Sequence, residues 1–199
     1  MSYLNNIRSG EKNMVDKGIY TRLTISFAIA LLATLTMIAS LFLPQLKATD
    51  EWATSLDAGR DNKIYSTVNI TYEDMKELSI VEFALVMGMA SSYDTDMAIA
   101  GAGFLIMLIF ISIFLLLNLL FSLIKKPIPL IIFNILAFGV FCLQKWIYGA
   151  SGIMDFRYEW GIGYYTYIVG SVVLFASSIW MMINKAQLKN SKEAAMRNY

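Results

Sequence analysis

Residues 97–144 read MAIAGAGFLIMLIFISIFLLLNLLFSLIKKPIPLIIFNILAFGVFCLQ: two charge-free runs parted only by Lys125 and Lys126. The first, Met97–Ile124, has 28 residues, and the second, Pro127–Gln144, has 18. A bilayer core needs about 20 helical residues to cross. At about 1.5 Å per residue the two runs make roughly 42 and 27 Å of helix. Lys145, which can snorkel, completes the shorter run together with Trp146 and Tyr148 at the interface. Pro127 suits a first helical turn, and the two lysines hold the connection on one side of the membrane. The stretch predicts a tight antiparallel transmembrane hairpin.

Two further charge-free runs flank it, Leu23–Leu46 with 24 residues and Trp160–Asn184 with 25. The 199-residue chain is 57% hydrophobic and 16% charged, with mean hydropathy +0.57. A soluble domain is nearer half apolar and a quarter charged. The expected class is an all-α integral membrane protein: a four-transmembrane-helix bundle with an extracellular loop subdomain holding a short strand and an interfacial helix. Its parts are a cytoplasmic lead (1–22), spans at 23–46, 97–124, 130–147 and 160–184, and a cytoplasmic turn at 125–129. The loop subdomain is 47–96, with a strand at about 63–72 and a helix at about 72–90. A short extracellular loop (148–159) and a cytoplasmic tail (185–199) complete it. The first run is too long for a signal-peptide core and lacks a clear cleavage site.

Charge orients the bundle. The N-terminal segment carries net +2, the Lys125–Lys126 turn +2 and the tail from Lys185 +3, whereas residues 47–96 carry −6 and residues 145–159 balance. Positive charge stays on the cytoplasmic side, so both termini are expected there, in a plasma (cytoplasmic) membrane. In the lead, Val15, Ile19 and Leu23 beside Lys12, Lys17 and Arg22 suit a helix lying on an anionic leaflet before turning in, and a frayed polar tail fits the same residues equally well. Membrane lipids are therefore an expected partner, and no basic patch beyond the topology calls for nucleic acid. Cys142 is the single cysteine and histidine is absent. No intramolecular disulfide is possible, and the commonest metal ligand and general base is missing. No cofactor, metal or catalytic residue is expected. A cysteine-free outer loop points to a bacterial source.

Small residues supply the expected packing sites. Ser26, Ala30 and Ala33 lie on one face of the first span, and Gly163, Gly170 and Ser177 recur every seven residues in the fourth. Such stripes let membrane helices approach closely. Gly101-Ala-Gly103-Phe and Gly161-Ile-Gly163-Tyr open the second and fourth spans, so all four glycines are expected at helix contacts, Gly161→Ala being mild and Gly163→Leu disruptive. Asn118 and Asn134 have similar depth on adjacent helices and are expected to bond to each other, with Gln144 the third polar residue of the spans. Trp52, Tyr65, Tyr72, Glu73 and Asp74 are partner-facing candidates in the loop. Thr71 and Asp74 form a capping signal for the 72–90 helix.

The order of lead, helix, large outer loop with strand and helix, helix, tight turn, helix, small outer loop and helix resembles the tetraspan plan of claudin-like membrane proteins. The likeness is one of topology: Trp52 is not followed by Gly-Leu-Trp and residues 47–96 lack the two cysteines, so no claudin function carries over. The expected function is a non-catalytic accessory, assembly or immunity-type subunit that binds another protein or its own copies. The alternative is a component of an oligomeric channel or small transporter.

Overall fold

The computed structural model describes residues 2–59, 70–90, 95–154 and 156–197. Helix α1 runs unbroken through Ser2–Ser40, so the lead continues the first span where the sequence predicts a separate helix that turns in. The chain then forms β1 (Pro44–Ala48), α2 (Asp50–Asp57), a 3₁₀ turn (Asp74–Lys76), β2 (Glu77–Ser79) and α3 (Ile80–Ala90). Helices α4 (Thr95–Leu123) and α5 (Pro127–Ala150), strand β3 (Tyr158–Trp160) and helix α6 (Ile162–Arg197) complete it. Four helical segments, Lys17–Ser40, Gly101–Leu123, Pro127–Ala150 and Ile162–Ala194, are long and apolar enough to cross a membrane. They suggest a multi-pass membrane protein. The helices pack in a ring: α1 on α6, α6 on α5, α5 on α4 and α4 on α1.

Two ends of the bundle are chemically distinct. At the turn end, Lys125 takes a left-handed conformation with φ 55°. Its ammonium sits 4.8 Å from the ring centre of Phe27 on α1, and Lys185 of α6 donates to its carbonyl. The two termini and the α4–α5 turn thus share one end. At the other end lies a three-stranded antiparallel sheet of order β2-β1-β3. Leu46 lies opposite Leu78 on one side and Trp160 on the other, and Lys47 opposite Glu77 and Glu159. The pleat sends Leu46 and Leu78 into a core where both are fully buried. Lys47 stays outside and pairs with Glu159 at 3.4 Å.

The sequence predicts a first span reaching residue 46, yet α1 ends at Ser40. Pro44 cannot donate to an α-helical ladder, and Leu41, Phe42 and Leu43 make tight i−3 bonds that unwind the last turn. A charge-free run is silent about which of its residues leave the helix. The helix predicted for 72–90 is likewise shorter, starting at Ile80. Thr71 and Asp74 do make the reciprocal bonds of a capping box (Thr71 N to Asp74 Oδ2, 2.7 Å; Asp74 N to Thr71 Oγ1, 3.3 Å), but only the 3₁₀ turn follows them. A second box, Ser79 with Glu82 (2.9 and 3.1 Å), starts α3. Of the strand predicted at 63–72, residues 63–69 lie outside the described residues.

Close approach explains the paired glycines. A Cβ on Gly161 or Gly163 would fall under 3.0 Å from the carbonyls of residues 43 and 44, where β1 crosses the start of α6. One on Gly101 would meet the Met87 carbonyl of α3 equally closely. Gly170 faces Met37 of α1. Gly103, predicted as a packing position, has nothing within 4 Å of where its Cβ would stand. Gly161 also donates its N–H to Gln45 O at 2.8 Å. The expectation that Gly161→Ala is mild is therefore reversed. Gly161→Ala should cost about 1–3 kcal/mol through overpacking against backbone, and Gly103→Ala should be neutral or slightly stabilising. Thermal midpoints of the two variants in one detergent check this; equal midpoints would contradict the geometry.

Candidate functional site

The sheet end carries a solvent-facing subdomain whose parts come from both long connections. Thr49 is its fastener. Its N–H donates to Arg157 O at 2.9 Å, its hydroxyl donates to Phe156 O at 2.8 Å, and the same oxygen accepts from Trp52 N at 3.4 Å as the N-cap of α2. Asp50 and Glu51 follow in the first turn, where carboxylates suit the helix dipole. These bonds set the first turn of α2 against the segment leading into β3. As a result the Arg157 guanidinium lies 5.1 Å from the Trp52 ring centre and 5.3 Å from that of Phe156, within cation–π range. Phe156 is 63% exposed. Trp52 is half-buried beneath the guanidinium.

The other loop candidates are clasped to the same subdomain. Lys76 Nζ bridges Asp57 of α2 at 2.7 Å and Glu73 at 2.9 Å. The side-chain hydrogen bonds to Asp57 and then Glu73 hold the Lys76 ammonium above its ordinary pKa of 10.5. The Tyr72 ring lies against Gly59, where a Cβ would stand 3.2 Å from it. Asp74 is occupied by Thr71. Tyr158 passes beneath, donating its hydroxyl to Met75 O at 3.0 Å. Burial pushes its phenol up in pKa, with Trp52 and Arg157 pulling the other way. Trp52, Tyr72, Glu73 and Asp74 thus share one subdomain, and Tyr65 lies outside the described residues. Phe156 and Arg157 were not singled out in the sequence. Their signal was the alternation Tyr158-Glu159-Trp160, buried, exposed and half-buried, which marks a strand that must pair somewhere.

Asn118, Asn134 and Gln144 are all buried in the bundle. Asn134 donates Nδ2 to Ser171 O at 3.0 Å and accepts from Ser171 Oγ at 3.1 Å. Its partner is α6, across the α5–α6 seam, in place of the predicted Asn118. Asn118 is fully buried, and neither its Nδ2 nor its Oδ1 has a hydrogen-bond partner among the described residues. Gln144 donates to the Tyr148 hydroxyl at 2.7 Å under the sheet. It lines a narrow crevice there with Gln45, Trp160 and Tyr164, and the Lys145 ammonium stands 5.4 Å from the Tyr164 ring centre. Ser26, Ala30, Ala33 and Ser177 are buried as the small-residue stripes require. Among the described residues no three His, Cys, Asp or Glu side chains stand where they could hold a metal ion. No known family model, curated protein or solved structure matches the chain.

Two measurements follow from these contacts. Asn134→Leu should lower stability by about 0.6–2 kcal/mol, the usual worth of an interhelical bond in a membrane bundle, whereas Asn118→Leu, which removes unpaired polar atoms, should be neutral or stabilising. Thermal unfolding in detergent separates the two; a larger loss for Asn118→Leu would be the contrary result. For Lys76 the folded pKa is raised, so its contribution is complete below pH 10.5 and fades as pH rises through the higher folded value. Alkaline unfolding of Lys76→Met should lack that part of the loss, and superimposable pH profiles for variant and parent would count against the clasp.

Proposed function

We propose that the protein is a non-catalytic, multi-pass protein of the cytoplasmic membrane that acts as an accessory, assembly or immunity-type subunit, binding another membrane or extracellular protein through its sheet end. The observation that carries this reading is the Trp52–Arg157–Phe156 cluster. Trp and Arg are the residue types enriched among binding hot spots. Here they stand preorganised on backbone tied down by Thr49, which lowers the ordering cost of association. The subdomain is acidic and the turn end basic, which supports a topology with both termini in the cytoplasm and the cluster outside. The lack of cysteines in residues 47–96 supports a bacterial source.

The alternative, an oligomeric channel, draws little from the geometry. Asn118, Asn134 and Gln144 are buried inside one chain, so they cannot line a pore between copies. Within the bundle, Ile111, Leu115, Leu130 and Leu174 are fully buried or nearly so.

The test is recovery of the tagged full chain from its native membrane in mild detergent, with the co-purifying protein identified by mass spectrometry. Arg157→Ala should weaken retention by about 30-fold, the effect of one hot-spot residue, while its melting temperature stays near the parent's. A lone monodisperse monomer, or unchanged retention by Arg157→Ala, would overturn the reading. Orientation is checked on a Cys142→Ser background. Glu51→Cys should react with a membrane-impermeant maleimide in intact cells and Lys189→Cys should not; the reverse pattern would invert the topology.

A further inference from the structure

We infer that the turn end holds a binding site for one anionic phospholipid, seated in the cleft between the first turn of α5 and the facing side of α6. The cleft holds about 310 Å³, open to one side, and is lined by Lys126, Pro127, Ile128, Pro129, Met182 and Lys185. Its two halves differ in chemistry. Ile128 and Met182 are exposed apolar side chains within the candidate spans, a surface suited to acyl chain. Lys126 and Lys185 stand at the rim, where the apolar span of α5 begins.

These two cations have no anion to answer them in the cleft: no carboxylate lines it among the described residues. Lys185 commits one of its three ammonium protons to the Lys125 carbonyl, which fixes the head at the rim and leaves two to donate. Lys125 itself turns to the Phe27 ring on α1. The one described ion pair of the turn end is Lys189 with Glu193 at 3.7 Å, on the far α6 extension. A phosphate between Lys126 and Lys185, with its chains along Ile128 and Met182, satisfies both halves at once. Basic pockets between membrane helices take anionic headgroups for this reason. A free phosphate shares the charge but would leave the apolar half wet. The lipid is therefore the occupant, and the site is independent of any protein partner at the sheet end.

The test uses the purified full chain in a non-ionic detergent, titrated with phosphatidylglycerol or with phosphatidylcholine of the same acyl chains, binding being read by native mass spectrometry. Phosphatidylglycerol should bind the parent more tightly. The double variant Lys126→Gln/Lys185→Gln should bind it about 30-fold more weakly, and Lys126→Arg/Lys185→Arg should restore it. Lys17→Gln/Lys192→Gln removes the same charge from the same end away from the cleft and should leave binding near the parent's. An equal loss in both glutamine pairs would assign the effect to the general basic field and overturn the site. Equal affinity for the two lipids, or displacement by inorganic phosphate at matched concentration, would also overturn it. Should the glutamine variant fail to fold, the parent still decides. Phosphatidylglycerol with a photoreactive acyl chain should label peptides containing Ile128 or Met182, and labelling spread evenly over all exposed spans would overturn the assignment.

Discussion

The pairing of β1 on both of its edges is the constraint from which the rest of the molecule follows. A helix leaving an apolar medium has four unbonded carbonyls at its end, and every backbone group beyond it needs a partner. Here the chain leaves α1 at Ser40, and within a few residues its backbone is taken up by β2 on one side and β3 on the other. Gln45 adds a side-chain bond back to Ser40 O at 3.1 Å. Because β3 runs straight into α6, the same pairing draws the start of α6 across residues 43–44. That is why Gly161 and Gly163 have no room for a side chain. Leu46 and Leu78, on the inward side of the pleat, join Phe83, Phe104 and Tyr148 in one apolar cluster. Three rings there lie within 5.3 Å of one another. The sheet is thus locked to α3, α4 and α5 from below.

Inside the bundle the polar groups are used sparingly. Several hydroxyls are returned to their own helix: Ser26, Thr34, Ser40, Ser177 and Ser178 all donate to carbonyls three or four residues back. Such bonds satisfy the hydroxyl without tying helices together. The Asn134–Ser171 pair is different, since it joins α5 to α6 through two bonds. It sits between the aromatic stack of Phe141, Tyr164 and Tyr167 toward the sheet and the lysine-rich turn. Asn118, like Ser122, the Tyr167 hydroxyl and Asn184 Nδ2, is buried without a partner among the described residues, and the described contacts give no physical account of why α4 keeps the amide.

The four apolar helices and the tight α4–α5 turn were legible because each is a local property: run length and flanking lysines. The small-residue stripes were legible one helix at a time, but not that α1 and α6 would be the pair to meet. What was not legible depended on partners remote in sequence. Pro44–Ala48 carries only one charge and reads as the tail of a span; nothing local says that Leu46 will lie between Leu78 and Trp160. The Asn118–Asn134 pairing was inferred from equal depth, but depth leaves open which way a side chain turns around its helix axis, and Asn134 turns to Ser171. The Ser79-x-x-Glu82 box was present in the letters and marks the start of α3 better than Thr71 and Asp74 do. Two overlapping capping signals compete, and only the extended backbone of β2 between them settles which begins the longer helix. The Trp52–Arg157 contact joins residues on either side of two candidate spans, beyond the reach of any local pattern.

The central position of β1 has a consequence for how the molecule is made. Its partner on one side, β2, follows shortly after it, but its partner on the other, β3, is synthesised only after two further spans. At usual translation speeds that interval is on the order of ten seconds. Throughout it one edge of β1 is bare, and a bare strand edge is a template for the wrong neighbour. Completion of the fold therefore waits on the arrival of the last helix, and any factor attending the young chain has one exposed element to cover until Gly161 closes over it.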